Sequence, residues 1–157
     1  MSDLWREEAA LRALSYGYAV AVDDRDGEAF ARLFVPDGEL VAPDVKGDLS
    51  PTFSRTGQDR LRRVVDGLDR YRHTFHEVTT SRYEIGEESA SGLVWCTAHH
   101  VAADETDQVP PPGTDTVWRI RYVDDYWRTS EGWRIARRVL HLLWIAERPV
   151  LQIGPRP

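Results

Sequence analysis

Four long β-rich stretches fill the second half of the sequence, and they restrict the fold more than any other feature. The stretches are residues 75–85, 90–103, 116–129 and 133–146. Turns of hairpin length, residues 86–88 and 130–132, join the first stretch to the second and the third to the fourth. A longer surface loop with a run of three prolines, residues 104–115, joins the second to the third. These connections predict an antiparallel meander.

Helical patterns precede the meander. Apolar residues recur at helical spacing over residues 4–22, which predicts one amphipathic helix with Tyr18 on its apolar face. Asp26 is the expected N-cap of a second, shorter helix, and Pro36 ends that helix. The two helices would therefore meet beside Asp23.

A third helix is expected to begin at Thr56 and to end near Arg70, after a short strand at residues 39–41. Helices followed by a long meander indicate an α+β domain in which helices cover one face of a sheet. We predict a cone-shaped, strongly curved antiparallel sheet covered by N-terminal helices, with an apolar interior suited to a small molecule. Residues 1–148 are assigned to this single domain, and residues 149–157 to a proline-containing C-terminal tail.

Composition argues against several functional classes. The formal net charge of −6 repels phosphate backbones, so we expect no nucleic-acid partner. The apolar runs are too short to cross a bilayer, and the N-terminus lacks a basic and then apolar leader, so we expect a cytoplasmic protein without a membrane partner. Cys96 is the only cysteine, and its apolar setting indicates a buried structural thiol. The histidine spacing does not favour a metal site, and phosphate and dinucleotide motifs are missing, so we expect neither metal nor cofactor.

Three local patterns carry a resemblance to a known family. They are Tyr18-Ala-Val-Ala-Val-Asp23 with the short helix up to Pro36, Thr74-Phe-His76 with the strand up to Ile85, and Tyr122-Val-Asp124 with the hairpin up to Arg138. In this order they resemble the nuclear transport factor 2-like superfamily. The resemblance is strongest to its SnoaL-like group, which includes scytalone dehydratase, bile-acid dehydratases and lindane dehydrochlorinase. It covers nearly the whole chain and implies the same cone-shaped α+β fold.

Acid and histidine residues are the candidates for acid–base chemistry. His76 is the first candidate for a base because a strand anchors it and an imidazole exchanges protons near neutral pH. Asp23, at the end of the first helix, could orient that imidazole and stabilise its charge, and His73 is the alternative base. The resemblance implies an alternative pairing of the aspartate with a histidine on the neighbouring strand. The matching position is His100, and His99 is the alternate because it points to the opposite face.

Further residues complete the predicted site. Tyr18 could donate a hydrogen bond from its phenol to a carbonyl or enolate oxygen. The resemblance implies a functional arginine at Arg138, for an anion or a coenzyme-linked carboxyl, while an ion pair with Asp124 or Glu84 is the alternative. The residues expected to line the cavity are Tyr16, Trp95, Tyr122, Asp124 and His73.

This set of residues predicts a cofactor-independent lyase or isomerase of the dehydratase type. Its substrate would be a small apolar oxygenated molecule such as a polyketide, steroid or aromatic intermediate. The alternatives are a polyketide cyclase and a non-catalytic module that binds a ligand or acts as a small subunit. Apolar sheet surface, six tryptophans and the resemblance also predict a homodimer or homotrimer.

Overall fold

A computed structural model describes residues 3–102 and 113–156. The predicted loop at residues 104–115 therefore lies largely outside the described residues. The elements are α1 (Leu4–Asp23), α2 (Gly27–Arg32), β1 (Phe34–Pro43), β2 (Pro51–Thr56), α3 (Gln58–Arg62), a short 3-10 helix (Val65–Leu68), β3 (Tyr71–Ile85), β4 (Ser89–Ala102), β5 (Thr114–Thr129) and β6 (Gly132–Pro149). The predicted α+β class is confirmed.

The strands form one curved six-stranded sheet in the order β2-β1-β6-β5-β4-β3. Strands β3 to β6 make the predicted antiparallel meander. The expectation of a wholly antiparallel sheet is wrong at one pair, since β1 runs parallel to β6. The meander leaves the outer edge of β6 unpaired, and β1 satisfies the backbone groups of that edge, with Leu40 opposite Arg138.

The region between β1 and β3 differs most from its prediction. The expected strand at residues 39–41 extends over all of β1, and β2 pairs with it as an additional strand. Strand β2 is mostly exposed on both faces, so its sequence lacks the alternation that reveals a half-buried strand. The third helix ends at Arg62, and the 3-10 helix takes the place of its predicted second half.

The first two helices cover the concave face of the sheet, and the first forms as predicted. The second ends at Arg32, earlier than expected, and Pro36 lies in β1 instead of ending the helix. The core side chains of α1 are Leu11, Leu14, Tyr18, Ala21 and Val22. Asp26 caps α2 as predicted, because its carboxylate accepts the backbone N–H of Ala29 at 2.8 Å. Between the helices, Arg25 adopts a left-handed backbone conformation with φ 60° and donates hydrogen bonds to the carbonyls of Val22 and Asp23. This turn places Asp23 at the open end of α1, facing β3.

Candidate active site

A cavity of about 140 Å³ lies between α1 and the concave face of the sheet. Most of its wall is apolar. The apolar and aromatic lining residues are Val22, Leu40, Ala42, Val64, Leu68, Tyr71, Trp118, Ile120 and Leu140. The polar and charged lining residues are Tyr18, Tyr122, His76, His100, Arg55 and Arg70. An apolar pocket with a few convergent polar groups is the usual form of a small-molecule site.

Asp23 and His76 form a hydrogen-bonded pair, in which His76 lines this cavity and Asp23 lines a groove on the outer side. Oδ1 of Asp23 lies 2.7 Å from Nδ1 of His76, and Oδ2 accepts the backbone N–H of His76 at 2.8 Å. Burial opposes ionisation of Asp23, but the hydrogen bonds and charge of His76 outweigh it and hold the pKa of the carboxyl below its ordinary value of 3.8. An ionised carboxylate only accepts hydrogen bonds, so Nδ1 of His76 carries a proton, and in the neutral form of the imidazole the lone pair is on Nε2. The pair therefore holds the tautomer that a general base requires.

His100 lies beside His76 on the same face of the sheet. Thr74 pairs with His100 and His76 pairs with Ala98, so both imidazoles point inward, with ring centroids 5.9 Å apart. Nδ1 of His100 lies 3.1 Å from the carbonyl oxygen of Thr116, which can only accept a hydrogen bond. The pairing of Asp23 with His100 is therefore wrong, because the carboxylate binds His76 and His100 binds the backbone of β5.

The burial of His100 makes it neutral at neutral pH. Burial, together with the charge of His76, lowers the pKa of His100 to about 4, against an ordinary value of 6.5. The ring packs at a tilt against Trp118 and Tyr71 at centroid distances of 4.5 and 4.9 Å, and His100 is only 2% exposed. At neutral pH His100 is thus an uncharged group in the cavity, and its Nε2 has no hydrogen-bond partner among the residues that the structure describes.

His100 should make the stability of the fold depend on pH. Between pH 6.5 and pH 4 the unfolded chain binds a proton at His100 that the folded chain does not. Stability therefore falls as the pH is lowered through this window, by an amount on the order of 3 kcal/mol from this group. Urea unfolding of the wild type and of His100→Phe at several pH values measures the effect. We expect the difference in unfolding free energy to grow in favour of the variant below pH 6.5; parallel pH curves would contradict a neutral His100.

Tyr18 and Tyr122 form part of the cavity wall and separate it from a buried ion pair. Burial raises the pKa of Tyr18 to about 12, so its phenol stays protonated and able to donate. Behind the two rings, Arg138 donates from Nε and Nη2 to the two oxygens of Asp124, at 2.9 and 2.7 Å. The guanidinium carbon of Arg138 lies 4.5 and 4.3 Å from the ring centroids of Tyr18 and Tyr122.

Neither Arg138 nor Asp124 lines the cavity. Both side chains are fully buried, and Arg138 also donates to Oγ of Ser15 at 3.0 Å. Tyr126 donates its phenol to Asp124 at 2.6 Å. Burial opposes the charge of Arg138, but Asp124 outweighs it and raises the pKa of the guanidinium. The expectation that Arg138 holds a substrate anion is therefore wrong for this cavity, and so is the expectation that Asp124 lines it.

Three other residues that were predicted to line the cavity lie outside it. Two of them, Tyr16 and Trp95, point away from the interior. Tyr16 is 50% exposed, because it lies two residues before the buried Tyr18 and so faces away from the sheet. Trp95 alternates with the inward Val94 and Cys96 and therefore points to the outer face of β4.

His73 is also outside the cavity. A bulge between Tyr71 and His73 shifts the register of β3, so His73 lines an outer groove, and its Nε2 lies 2.8 Å from the carbonyl oxygen of Gly154. His99, the alternate to His100, lies on the outer face beside Asp115, with its Nδ1 2.7 Å from Oδ2 of that residue. Of the five histidines, the cavity therefore contains His76 and His100.

The sequence did not reveal several cavity residues. Arg55 comes from β2, whose existence was not predicted, and Arg70 from the turn before β3. Trp118 packs against His100, and its place on β5 opposite Ala98 could have been found from the predicted hairpin partners. A wider surface concavity of about 910 Å³ contains none of the predicted site residues.

The thiol of Cys96, the possible metal ligands and the helices were also considered as bases for other functions. Burial raises the pKa of the Cys96 thiol to about 12, as expected for a structural cysteine. Within residues 3–102 and 113–156, no three His, Cys, Asp or Glu side chains gather in a way that could hold a metal ion. In the same part of the chain, no helix is long and apolar enough to span a membrane.

Comparisons with solved structures show the same fold. A candidate scytalone dehydratase from Novosphingobium aromaticivorans superposes with a TM-score of 0.77 at 23% identity, over 99% of this chain and 97% of its own. A hexachlorocyclohexane dehydrochlorinase from Novosphingobium barchaimii superposes with a TM-score of 0.76 at 15% identity, over 98% and 97% of the two chains.

Similarity in amino-acid sequence identifies relatives and a family in addition to the fold. Uncharacterized proteins of Mycobacterium tuberculosis and Mycobacterium bovis are 29% identical over 129 residues, which is 82% of this chain and 80% of theirs. The family model described as the SnoaL-like domain matches residues 4–139, most of the chain. The resemblance drawn from the three local patterns is thereby confirmed, and the protein belongs to the SnoaL-like domain family.

Proposed function

We propose that the protein is a cofactor-independent lyase or isomerase that removes a proton from a carbon atom of a small apolar, oxygenated molecule. The observation that carries the proposal is that His76 lines the cavity while Asp23, outside the cavity, holds its imidazole by a hydrogen bond. The carboxylate of Asp23 binds His76 at two points, the ring nitrogen Nδ1 and the backbone N–H. The orientation of His76 is therefore fixed before a ligand enters, which is how catalytic groups gain efficiency.

In the proposed reaction, Nε2 of His76 takes the proton from a carbon atom next to a carbonyl group. The electron pair of the C–H bond moves towards the carbonyl oxygen, and Tyr18 donates a hydrogen bond to that oxygen. Asp23 stabilises the imidazolium that results. The proton then passes to a leaving hydroxyl group, which departs as water, or to another carbon atom, which completes an isomerisation.

The size of the cavity narrows the substrate classes considered from the sequence. An engineered protein cavity of about 150 Å³ admits benzene, so a cavity of about 140 Å³ suits a body of one ring. A steroid skeleton would not fit without a large change of the wall. Among the solved structures with this fold, the hexachlorocyclohexane dehydrochlorinase is named for a substrate with a single six-membered ring.

A non-catalytic role has less support. An assembly module needs no open interior, whereas this fold keeps a hollow at its centre and lines it with two imidazoles. A polyketide cyclase would use the same proton abstraction but would need a longer chain to fold inside the cavity. The dehydratase or isomerase reaction therefore agrees better with the volume.

Hydrogen exchange tests the proposal whatever the leaving group is. The intact protein is incubated in D₂O with a panel of single-ring ketones and β-hydroxy ketones, and proton NMR follows the signal of the hydrogens next to the carbonyl. We expect at least one compound to lose this signal, or to eliminate water, at least about 100-fold faster than in buffer. Binding of the panel without exchange or elimination in any compound would contradict the proposal.

A further inference from the structure

Two arginines line the cavity at its solvent end. Arg55 is half-buried on β2, and Arg70 is exposed in the turn before β3, yet both contribute to the wall that also contains His76 and His100. A residue that contacts both the solvent and the cavity must lie at the mouth. The deeper polar groups, Tyr18 and His100, are uncharged at neutral pH.

The charge of the mouth is opposite to that of the protein as a whole. The chain has a formal net charge of −6, but the cavity lining contributed by the described residues includes two guanidinium groups and no carboxylate. Within residues 3–102 and 113–156, neither arginine has a carboxylate within 4 Å.

Aromatic rings support both guanidinium groups. The guanidinium carbon of Arg55 lies 4.8 Å from the ring centroid of Phe53, and that of Arg70 lies 4.9 Å from that of Tyr71. Contact with a ring positions a guanidinium without using its N–H donors. A planar fork with free donors matches the two oxygens of a carboxylate.

We infer that the cavity binds a carboxylic acid with a body of one ring, whose carboxylate lies between Arg55 and Arg70 and whose ring points towards His76. The inference rests on the proposed function, since it names the substrate class of the same site. It also explains how a base could act on such a molecule. Removing a proton next to a carboxylate adds a second negative charge, and two cations at the carboxylate offset that charge.

The test compares two ligands of the same shape, benzoate and benzamide, by calorimetry with the intact protein. We expect benzoate to bind at least about tenfold more tightly than benzamide, with a preference that weakens as salt is added. Arg55→Gln and Arg70→Gln should each lower the affinity for benzoate about tenfold and leave that for benzamide within about twofold. Arg60→Gln removes the same charge from an exposed position of α3 outside the cavity, and it should change neither affinity.

The location of the ligand is measured separately. The indole N–H resonance of Trp118, assigned by loss of the signal in Trp118→Phe, should shift with benzoate and saturate at the calorimetric affinity. No benzoate binding at millimolar concentrations, equal affinities for the two ligands, or a preference unchanged in both glutamine variants would overturn the inference. Exchange of neutral ketones would then still support the proposed function. Conversely, a benzoate preference without any exchange would leave the inference standing and remove the function.

Discussion

Replacing His76 with alanine is expected to lower the rate of hydrogen exchange or elimination by about 10²–10⁴-fold, whichever compound of the panel reacts. The cavity contains one imidazole whose tautomer is set by a carboxylate, and the substitution removes it. His100 cannot take over, because it lies on the neighbouring strand and its pKa of about 4 makes it a much weaker base. Proton NMR in D₂O gives the rate directly.

Asp23→Asn tests the same pair without emptying the cavity wall. The amide can still contact His76, but its N–H₂ favours the tautomer with the proton on Nε2, which is the wrong one for a base. We expect a loss of at least about 100-fold in rate. His73→Ala is the matched control, since this histidine is on the same strand as His76 but lines the outer groove, and it should keep the wild-type rate. Full activity in both His76→Ala and Asp23→Asn would remove the pair from the mechanism.

Asp124→Ala is expected to destabilise the fold by about 3–5 kcal/mol, the largest effect of any single substitution proposed for stability. The substitution leaves the fully buried guanidinium of Arg138 without its carboxylate, and Tyr126 loses the acceptor of its phenol. Urea unfolding at neutral pH measures the change. A loss below about 1 kcal/mol would show that the ion pair is not buried in solution.

A double variant distinguishes the loss of the whole ion pair from the loss of one charged partner. In Asp124→Leu with Arg138→Met, apolar side chains replace both ions, so no buried charge remains unpaired. We expect the double variant to be more stable than Asp124→Ala, although Tyr126 still lacks its acceptor. The two residues contact each other directly, so their effects should not be additive.

The fold was largely predictable because its longest elements carry strong local patterns. Helix α1 and strands β3 to β6 each present a regular apolar face over many residues, and short turns fix their neighbours. Strand β2 and the parallel contact of β1 with β6 were missed because both depend on partners that the local pattern does not identify. A short, exposed edge strand has little pattern of its own to reveal it.

The positions of Asp23 and His76 were predictable because each depends on a single local element. Asp23 follows from the end of α1, and His76 from a single strand. Trp95 was a wrong choice that strand alternation alone could have excluded, since it lies an odd number of residues before His100 on the same strand and must face the opposite side.

The prediction that Arg138 binds a substrate anion was wrong for a different reason. Thr129 pairs with Gly132, so an uninterrupted hairpin would place Asp124 opposite Arg137. A bulge between Asp125 and Tyr126 shifts the register by one residue and places Arg138 there instead. The bulge thus gives Asp124 a fully buried partner in place of a more exposed one, and nothing in the local sequence indicates it.

The parallel contact between β1 and β6 has a consequence for the protein during its synthesis. Strand β1 leaves the ribosome long before β6, the strand that flanks it on the inner side of the sheet and the last of the six to be made. Until β6 is made, β1 in its hairpin with β2 has an unpaired edge on the side that β6 will occupy. The sheet against which α1 packs is also incomplete. Translation that stops before residue 132 therefore releases a chain whose two halves cannot join, which makes it a natural substrate for chaperones and proteases.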